Sequence, residues 1–393
     1  MVRREGPVNG GRDHRARHPA GAAERSRYPA PVTHLSLIRP DDWHVHLRDG
    51  AMMAAAVADT ARRFARAIVM PNLDPPVRTV DEALAYRARI LAALPAGARF
   101  EPLMTLYLTE TTRPSEVSHA HACGLVRAVK YYPAGATTHA TQGVHDLKRC
   151  YPVLAVMERL DLPLLLHGEV TDPAVDVFDR EAVFLERQLA PLMRAFPGLR
   201  LVLEHITTRA AVDYVSAGPD TLAATITAHH LLLDRNALFA GGLRPHHYCR
   251  PLLKRAHHRA ALVGAATGGS PKFFLGTDSA PHPRHAKESA CGCAGIYTAH
   301  AALELYAEVF EEARALARLE AFASRHGPDF YRLPRNQERI TLIKEPWQVP
   351  STMAAGFDVL VPLRAGPAIL GTLTPLVLAS APSSARLPLR IAR

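Results

Sequence analysis

No stretch of this 393-residue chain reaches the roughly 18 consecutive apolar residues that a membrane-crossing helix needs, so no transmembrane segment is expected. The apolar run Leu370–Ala379 is short and is interrupted by Pro375. An apolar h-region is missing from the first residues, so a secretory signal is not expected either. Cysteine is scarce: Cys123, Cys150, Cys249, Cys291 and Cys293 make an odd count with no secreted-scaffold spacing. That argues for a reducing, cytoplasmic compartment. Cys291-Gly292-Cys293 has no second cysteine pair at zinc-finger spacing, so buried structural thiols are expected there. Neither G-x-G-x-x-G nor G-x-x-x-x-G-K occurs, which removes the two common phosphate-binding turns.

The body of the chain also lacks excess charge. The formal net charge of +10 is concentrated at the ends: residues 1–30 carry +4 and residues 364–393 another +4. An electrostatic nucleic-acid footprint is therefore not expected, and neither is a membrane-surface role. Residues 1–30 are Arg-, Gly- and Pro-rich without periodicity, and are expected to form a disordered basic extension.

What remains is regular. Short apolar runs alternate with amphipathic stretches, and each run stops at residues able to do chemistry. Ala67–Met70 stops at Pro71-Asn72, Pro102–Leu108 at a Thr-rich cluster, and Val126–Lys130 at Tyr131-Tyr132-Pro133. Leu162–Leu166 stops at His167, Leu201–Leu203 at Glu204-His205, and Phe273–Leu275 at Gly276-Thr277-Asp278. Helix-like segments such as Asp81–Leu94, Asp176–Phe196 and Ala299–His326 lie between them. Repeated β-then-α units predict a parallel sheet covered by helices. Polar residues at so many strand ends favour a TIM-like (β/α)8 barrel with its site at the C-terminal ends of the strands. An open doubly wound sheet would gather its ligands at one switch point and want a Gly-rich turn.

His44-Val45-His46 places two imidazoles on one face of an extended strand, with Arg48 on the same parity. Lys130, His167, His205 and Asp278 follow, at separations of 84, 37, 38 and 73 residues from His46 onward. With roughly 30–38 residues per βα unit, these residues fall on strand 1 and then on strands 4, 5, 6 and 8. Singly, each has a commonplace role: a surface histidine, a satisfied core histidine, a salt-bridged lysine or a helix N-cap. Together they have the composition and the schedule of a metal site.

The pattern resembles the binuclear-metal amidohydrolase superfamily, and within it the dihydroorotases of the shorter bacterial type. The matching segments are D-D-W-H-V-H-L-R-D-G (41–50), M-P-N-L-D-P-P-V (70–77), K-Y-Y-P-A-G-A-T-T (130–138) and L-L-L-H-G-E-V (164–170). L-E-H-I-T-T (203–208), F-L-G-T-D-S-A-P-H (274–282), C-R-P-L-L-K (249–254) and G-C-A-G (292–295) complete them. The resemblance covers about residues 33–369, with a barrel domain expected over 31–369 and an atypical tail over 370–393.

It implies that His44 and His46 bind one zinc ion with Asp278, and that His167 and His205 bind a second. It further implies that Lys130, carboxylated to N6-carboxylysine, bridges the two ions together with a hydroxide. An ammonium cannot be a ligand, whereas a carbamate offers two anionic oxygens. By the same resemblance Arg48, Asn72 and His282 hold a substrate carboxylate, while Arg250 and Ala294 present backbone groups to a pyrimidine ring. Arg250 departs from the apolar residue usual at its position, a change that a backbone contact tolerates. Thr137 and Thr138 would sit on a loop that closes over the substrate. The run His139–Gly143 departs from the small polar residues usual in that loop.

The implied reaction is reversible cyclisation of N-carbamoyl-L-aspartate to dihydroorotate, with Asp278 as acid/base, and the implied assembly is a homodimer. A hydantoinase or dihydropyrimidinase of the same superfamily is the competing reading, but it would lack Arg48 as a carboxylate anchor. A non-catalytic scaffold would show eroded ligands, and all six are present.

Overall fold

The apolar runs are strands, and eight of them lie parallel, side by side in chain order. The structure is a computed structural model that describes residues 34–290, 292–344 and 348–365, and the backbone of 376–378. Residues 1–30, Cys291 and all of 370–393 apart from 376–378 lie outside the described residues, and with them the expectations made there. The eight strands are β2 (Asp41–Val45), β3 (Arg66–Val69), β4 (Glu101–Tyr107), β5 (Val126–Tyr131), β6 (Leu164–His167), β7 (Leu201–Glu204), β8 (Leu222–Ile226) and β9 (Phe273–Leu275). The ring closes where Asp278 N–H donates to the His44 carbonyl (2.8 Å) and His46 N–H to that of Ser279 (3.1 Å). A TIM-like barrel was the expected fold, and its first, fourth, fifth, sixth and eighth strands are the ones that carry the spaced candidates.

Two small antiparallel sheets accompany the barrel. β1 (His34–Ile38) pairs with β10 (Arg339–Lys344), and β10 pairs with β13 (Leu376–Leu378). β11 (Met353–Ala355) pairs with β12 (Asp358–Leu360). Among the described residues no helix is long and apolar enough to cross a membrane.

Side-chain alternation explains where the site falls. Trp43, Ile68, Leu103, Ala128, Leu165, Val202, Ala223 and Phe274, one from each barrel strand, form a single cluster filling the interior. Their neighbours, such as Val129, Leu164, Leu166, Leu201, Leu203 and Leu275, point outward into the helix layer. Burial on both faces is why these strands read as continuous apolar runs rather than alternating ones. Two residues further along, the inward parity reaches Lys130, His167 and Glu204. In β2 a register irregularity between Asp42 and Val45 re-aims the strand at this height.

Local sequence accounts for several helix ends. Thr79 and Glu82 form a capping box at the start of the helix Val80–Ala92, close to the predicted Asp81. The predicted helix 176–196 runs from Arg180 to Ala195, with a π-helical turn at Leu185–Leu189. The predicted continuous helix Ala299–His326 is instead broken: Ala302–Glu312 ends and Arg314 turns into the left-handed region (φ 56°). The chain resumes in short turns and a last helix, His326–Tyr331.

That last helix plugs the barrel at the end opposite the polar residues. Tyr331 stacks on Trp43 (ring centroids 4.3 Å apart, 12° between planes). Gly327 faces the same indole so closely that an added Cβ would lie 1.9 Å from Trp43 Nε1. Gly327→Ala is therefore expected to lower stability by about 3 kcal/mol through overpacking, measured by denaturant unfolding. A change within experimental error would show that the plug yields freely.

Candidate metal centre

Four imidazoles, a carboxylate and a lysine meet at the C-terminal ends of the barrel strands. His44 Nε2 lies 3.3 Å from His46 Nε2 and 3.3 Å from Asp278 Oδ1, and His46 Nε2 lies 3.0 Å from the same oxygen. The ring of His205 packs 5.0 Å from His44 and 4.9 Å from His167, centroid to centroid. Lys130 is fully buried, ion-paired with Glu204, with its Nζ 4.8 Å from the Tyr132 ring centre. The six residues expected to bind metal are thus brought together, and all are buried.

Backbone geometry contributes what side-chain alternation cannot. Arg48, His205 and Asp278 all adopt positive φ (59°, 43° and 44°). Non-glycine residues take this region at a cost, and such outliers concentrate at functional sites. For His205 and Asp278, each beyond its strand's last inward position, the turn helps direct the side chain back over the barrel mouth. Neighbouring carboxylates brace these turns. Asp42 accepts from His44 N–H (3.1 Å), Thr277 N–H (2.9 Å) and Thr277 O–H (2.6 Å). Glu181 accepts from the N–H and O–H groups of both Thr207 and Thr208, just after His205.

The electrostatics favour a cation. Burial lowers His46 to about 4 and His205 well below the usual imidazole range, so both are neutral lone-pair donors. For His44 burial acts in the same direction, but the Glu204 and Asp278 carboxylates outweigh it and raise the group to about 9. Burial would raise Asp278, yet the His44 charge and the bonds from His44 and His46 hold it well below the usual carboxylate range. Hydrogen bonds select the free nitrogens. Asn72 Oδ1 accepts from His46 Nδ1 (2.8 Å), leaving Nε2 as the donor, and Glu169 Oε2 engages His167 Nε2 (2.9 Å), leaving Nδ1. His205 Nδ1 is buried without a hydrogen-bond partner. The neutral imidazoles of His46 and His205, the ionised Asp278 carboxylate and an unpartnered buried nitrogen form a donor set that suits a divalent cation.

The expected substrate residues surround this cluster in an open pocket of about 330 Å³, lined by Arg48, Asn72, Thr137, Thr138, Arg250 and Ala294 among others. Arg48 donates from Nε to the Pro281 carbonyl (3.0 Å) and from Nη2 to His282 Nε2 (2.8 Å). His282 is held neutral, by burial first and then by the Arg48 and Lys287 charges. Thr138 lies across the mouth: its carbonyl accepts from Asn72 Nδ2 (3.3 Å) and its Oγ1 from Ala294 N–H (3.3 Å).

Sequence reasoning missed Glu204, Glu169 and Asp42. Glu204 was within reach, since it stands two residues after Val202 and so shares its inward parity. A second cluster, His229, His230 and Cys249, is also buried. There His230 Nε2 and the Cys249 thiol both point at the Pro251 carbonyl (3.1 and 3.3 Å), so two of its three donors are committed to a backbone acceptor. Of the paired cysteines expected to be buried, Cys293 is only half-buried.

The Amidohydrolase family profile matches residues 36–366. The dihydroorotase of Nitrosomonas europaea is 66% identical over 334 residues, covering 84% of this chain and 96% of that protein. Among solved structures, the dihydroorotase of Campylobacter jejuni superposes with a TM-score of 0.80 at 33% identity, covering 90% of this chain and 99% of that one. The dihydroorotase of Saccharomyces cerevisiae in complex with 5-fluoroorotic acid also scores 0.80 at 33% identity, over 88% and 98%.

Proposed function

The chain belongs to the amidohydrolase family, and from that premise we propose that it is a two-zinc dihydroorotase. It interconverts N-carbamoyl-L-aspartate and (S)-dihydroorotate, the third step of pyrimidine synthesis. The observation that carries the reading is the convergence of four imidazoles, Asp278 and Lys130 beside a buried guanidinium, Arg48. The close resemblance to named dihydroorotases supports the choice of substrate.

His44, His46 and Asp278 would hold one ion and His167 with His205 the other, with Lys130 bridging them once its Nζ is carboxylated. When bound, the ions supply Lewis-acid polarisation of the scissile carbonyl and acidify water. In the hydrolytic direction Asp278 takes the proton of the attacking water as the new C–O bond forms. It passes that proton to the ring nitrogen as the C–N bond breaks. Ring closure is the reverse, with the oxygen leaving as water.

Arg48 orients the substrate by pairing with its carboxylate. The Pro281 carbonyl and His282 fix the plane of the guanidinium before substrate arrives. Asn72 and His282 complete that anchor, the backbone of Arg250 and Ala294 faces the ring, and Thr137 with Thr138 excludes water when the loop is closed. Arg48→Met is expected to raise KM for dihydroorotate by about 10- to 100-fold, with a smaller effect on kcat. Steady-state kinetics showing an unchanged KM would remove Arg48 from carboxylate recognition.

The deciding experiment assays the zinc-loaded protein with dihydroorotate, hydantoin and dihydrouracil. Turnover of dihydroorotate, abolished by a chelator and restored by zinc, is expected. Preference for an uncharged ring would overturn the reading in favour of a hydantoinase-type enzyme. The same resemblance supports a cytoplasmic homodimer, and a monomer mass by light scattering would set the dimer aside.

A further inference from the structure

Part of the pocket wall comes from segments without regular structure: 248–251, which carries Arg250, and 293–295, which carries Ala294. Arg250, Ala294 and Gly295 all face the pocket. Such segments keep one shape only when their backbone groups are tied down. One side chain does this for both. Lys287, the last residue of the short helix Arg284–Lys287, is buried. Its Nζ donates to the carbonyls of Tyr248 (2.8 Å), Cys293 (2.8 Å) and Gly295 (2.6 Å).

An ammonium has three N–H groups, and all three are used. No carboxylate forms an ion pair with it among the described residues, and Arg48 and the Cys249 and Cys293 thiols lie nearby. A lysine that merely covered apolar surface would carry its charged end out to water. This one is instead spent on three backbone oxygens. Gly295 N–H donates to the Tyr248 carbonyl as well (2.9 Å), so the two segments are joined twice at one point.

The consequence for Ala294 follows from peptide planarity. The Cys293 carbonyl and the Ala294 N–H belong to one rigid plane and point in opposite directions. Holding the carbonyl on Lys287 turns the amide hydrogen away from it, toward Thr138 Oγ1 and the pocket. The next peptide, Ala294–Gly295, is held through its N–H on the Tyr248 carbonyl, and the one after it through the Gly295 carbonyl on Lys287. Gly295 itself adopts φ 151° and packs closely on Ala280, where an added Cβ would lie 2.7 Å from the carbonyl oxygen.

We infer that Lys287 is a positioning residue for substrate: it aims the Ala294 amide into the pocket, locks the 293–295 turn to the Arg250 segment, and adds a second positive charge behind Arg48. The inference rests on the dihydroorotase reading and deepens it. The pocket's preference for an anionic ring then depends on a side chain outside the reacting cluster.

The test compares wild type, Lys287→Met and Lys287→Arg, each zinc-loaded, by steady-state kinetics with dihydroorotate and by metal analysis. Lys287→Met removes the charge and all three bonds. Lys287→Arg keeps the charge, but a planar fork cannot serve three converging oxygens. Both are expected to raise KM about tenfold or more, with kcat within about threefold and unchanged zinc content. A merely structural lysine would lower the melting temperature and leave KM as it was. Unchanged KM in a folded, zinc-replete variant overturns the inference. If Lys287→Met does not fold, Lys287→Arg decides by the same criterion. Failure of the wild type to turn over dihydroorotate would count against the function instead, and is seen separately.

Discussion

Replacement of Asp278 by Asn is expected to lower kcat by about 10³-fold or more while leaving the fold intact. Among the described residues the carboxylate is the only one in contact with both His44 and His46, and its environment keeps it ionised. The backbone bond from Asp278 N–H to the His44 carbonyl closes the barrel and survives any side-chain change. Asn is the informative replacement because, like Asp, it tolerates the positive φ of 44°. Asp278→Ala should lose as much activity, with an added cost of about 1 kcal/mol from the left-handed backbone. Melting temperature and zinc content measured beside kcat separate loss of acid/base chemistry from loss of metal. Activity near wild type in either variant would refute the assigned role.

Lys130→Ala should release most of the bound metal and lower activity by at least about 10²-fold, since loss even of an outer partner commonly costs 10- to 100-fold. Lys130 is fully buried at the height of the imidazoles, where alternation along β5 leaves its side chain facing the barrel axis. Carboxylation joins the Nζ nitrogen to carbon dioxide, releases a proton and yields an anionic carbamate. The alanine variant leaves a space of matching length, so short carboxylic acids should restore part of the metal content and activity. Zinc analysis showing full occupancy in Lys130→Ala would contradict the bridge. A mass increase of one carbon dioxide on Lys130 in the native protein would support it directly.

Much of this architecture was legible beforehand because a barrel strand is buried on both faces. Runs such as Phe273–Leu275 had to be apolar throughout, and the polar residue that ends each run had to mark the barrel mouth. The βα repeat length then assigned His44 and His46, Lys130, His167, His205 and Asp278 to their strands, as found. β8 escaped notice because Leu222–Ile226 is followed by Thr227, not by a metal-compatible group. The break at Arg314 escaped notice because the amphipathic pattern continues across it, and only the observed backbone turn reveals the interruption.

The amino-acid sequence by itself determined the barrel and the candidate ligands, since these follow from periodicity and spacing, and its motifs singled out Arg48 through the family resemblance they carry. Tertiary structure alone decided which nitrogen of His46 and of His167 is committed to a neighbour outside the cluster. Asn72 takes Nδ1 of His46 across 26 residues, and Glu169 takes Nε2 of His167. It also decided that Glu204 meets Lys130 across 74 residues, and that Lys287 gathers the carbonyls of two separate segments. The physical reason is common to all of these. Alternation and repeat length are local and cumulative along the chain, whereas a hydrogen bond between distant segments depends on where strand twist, bulges and positive-φ turns bring them.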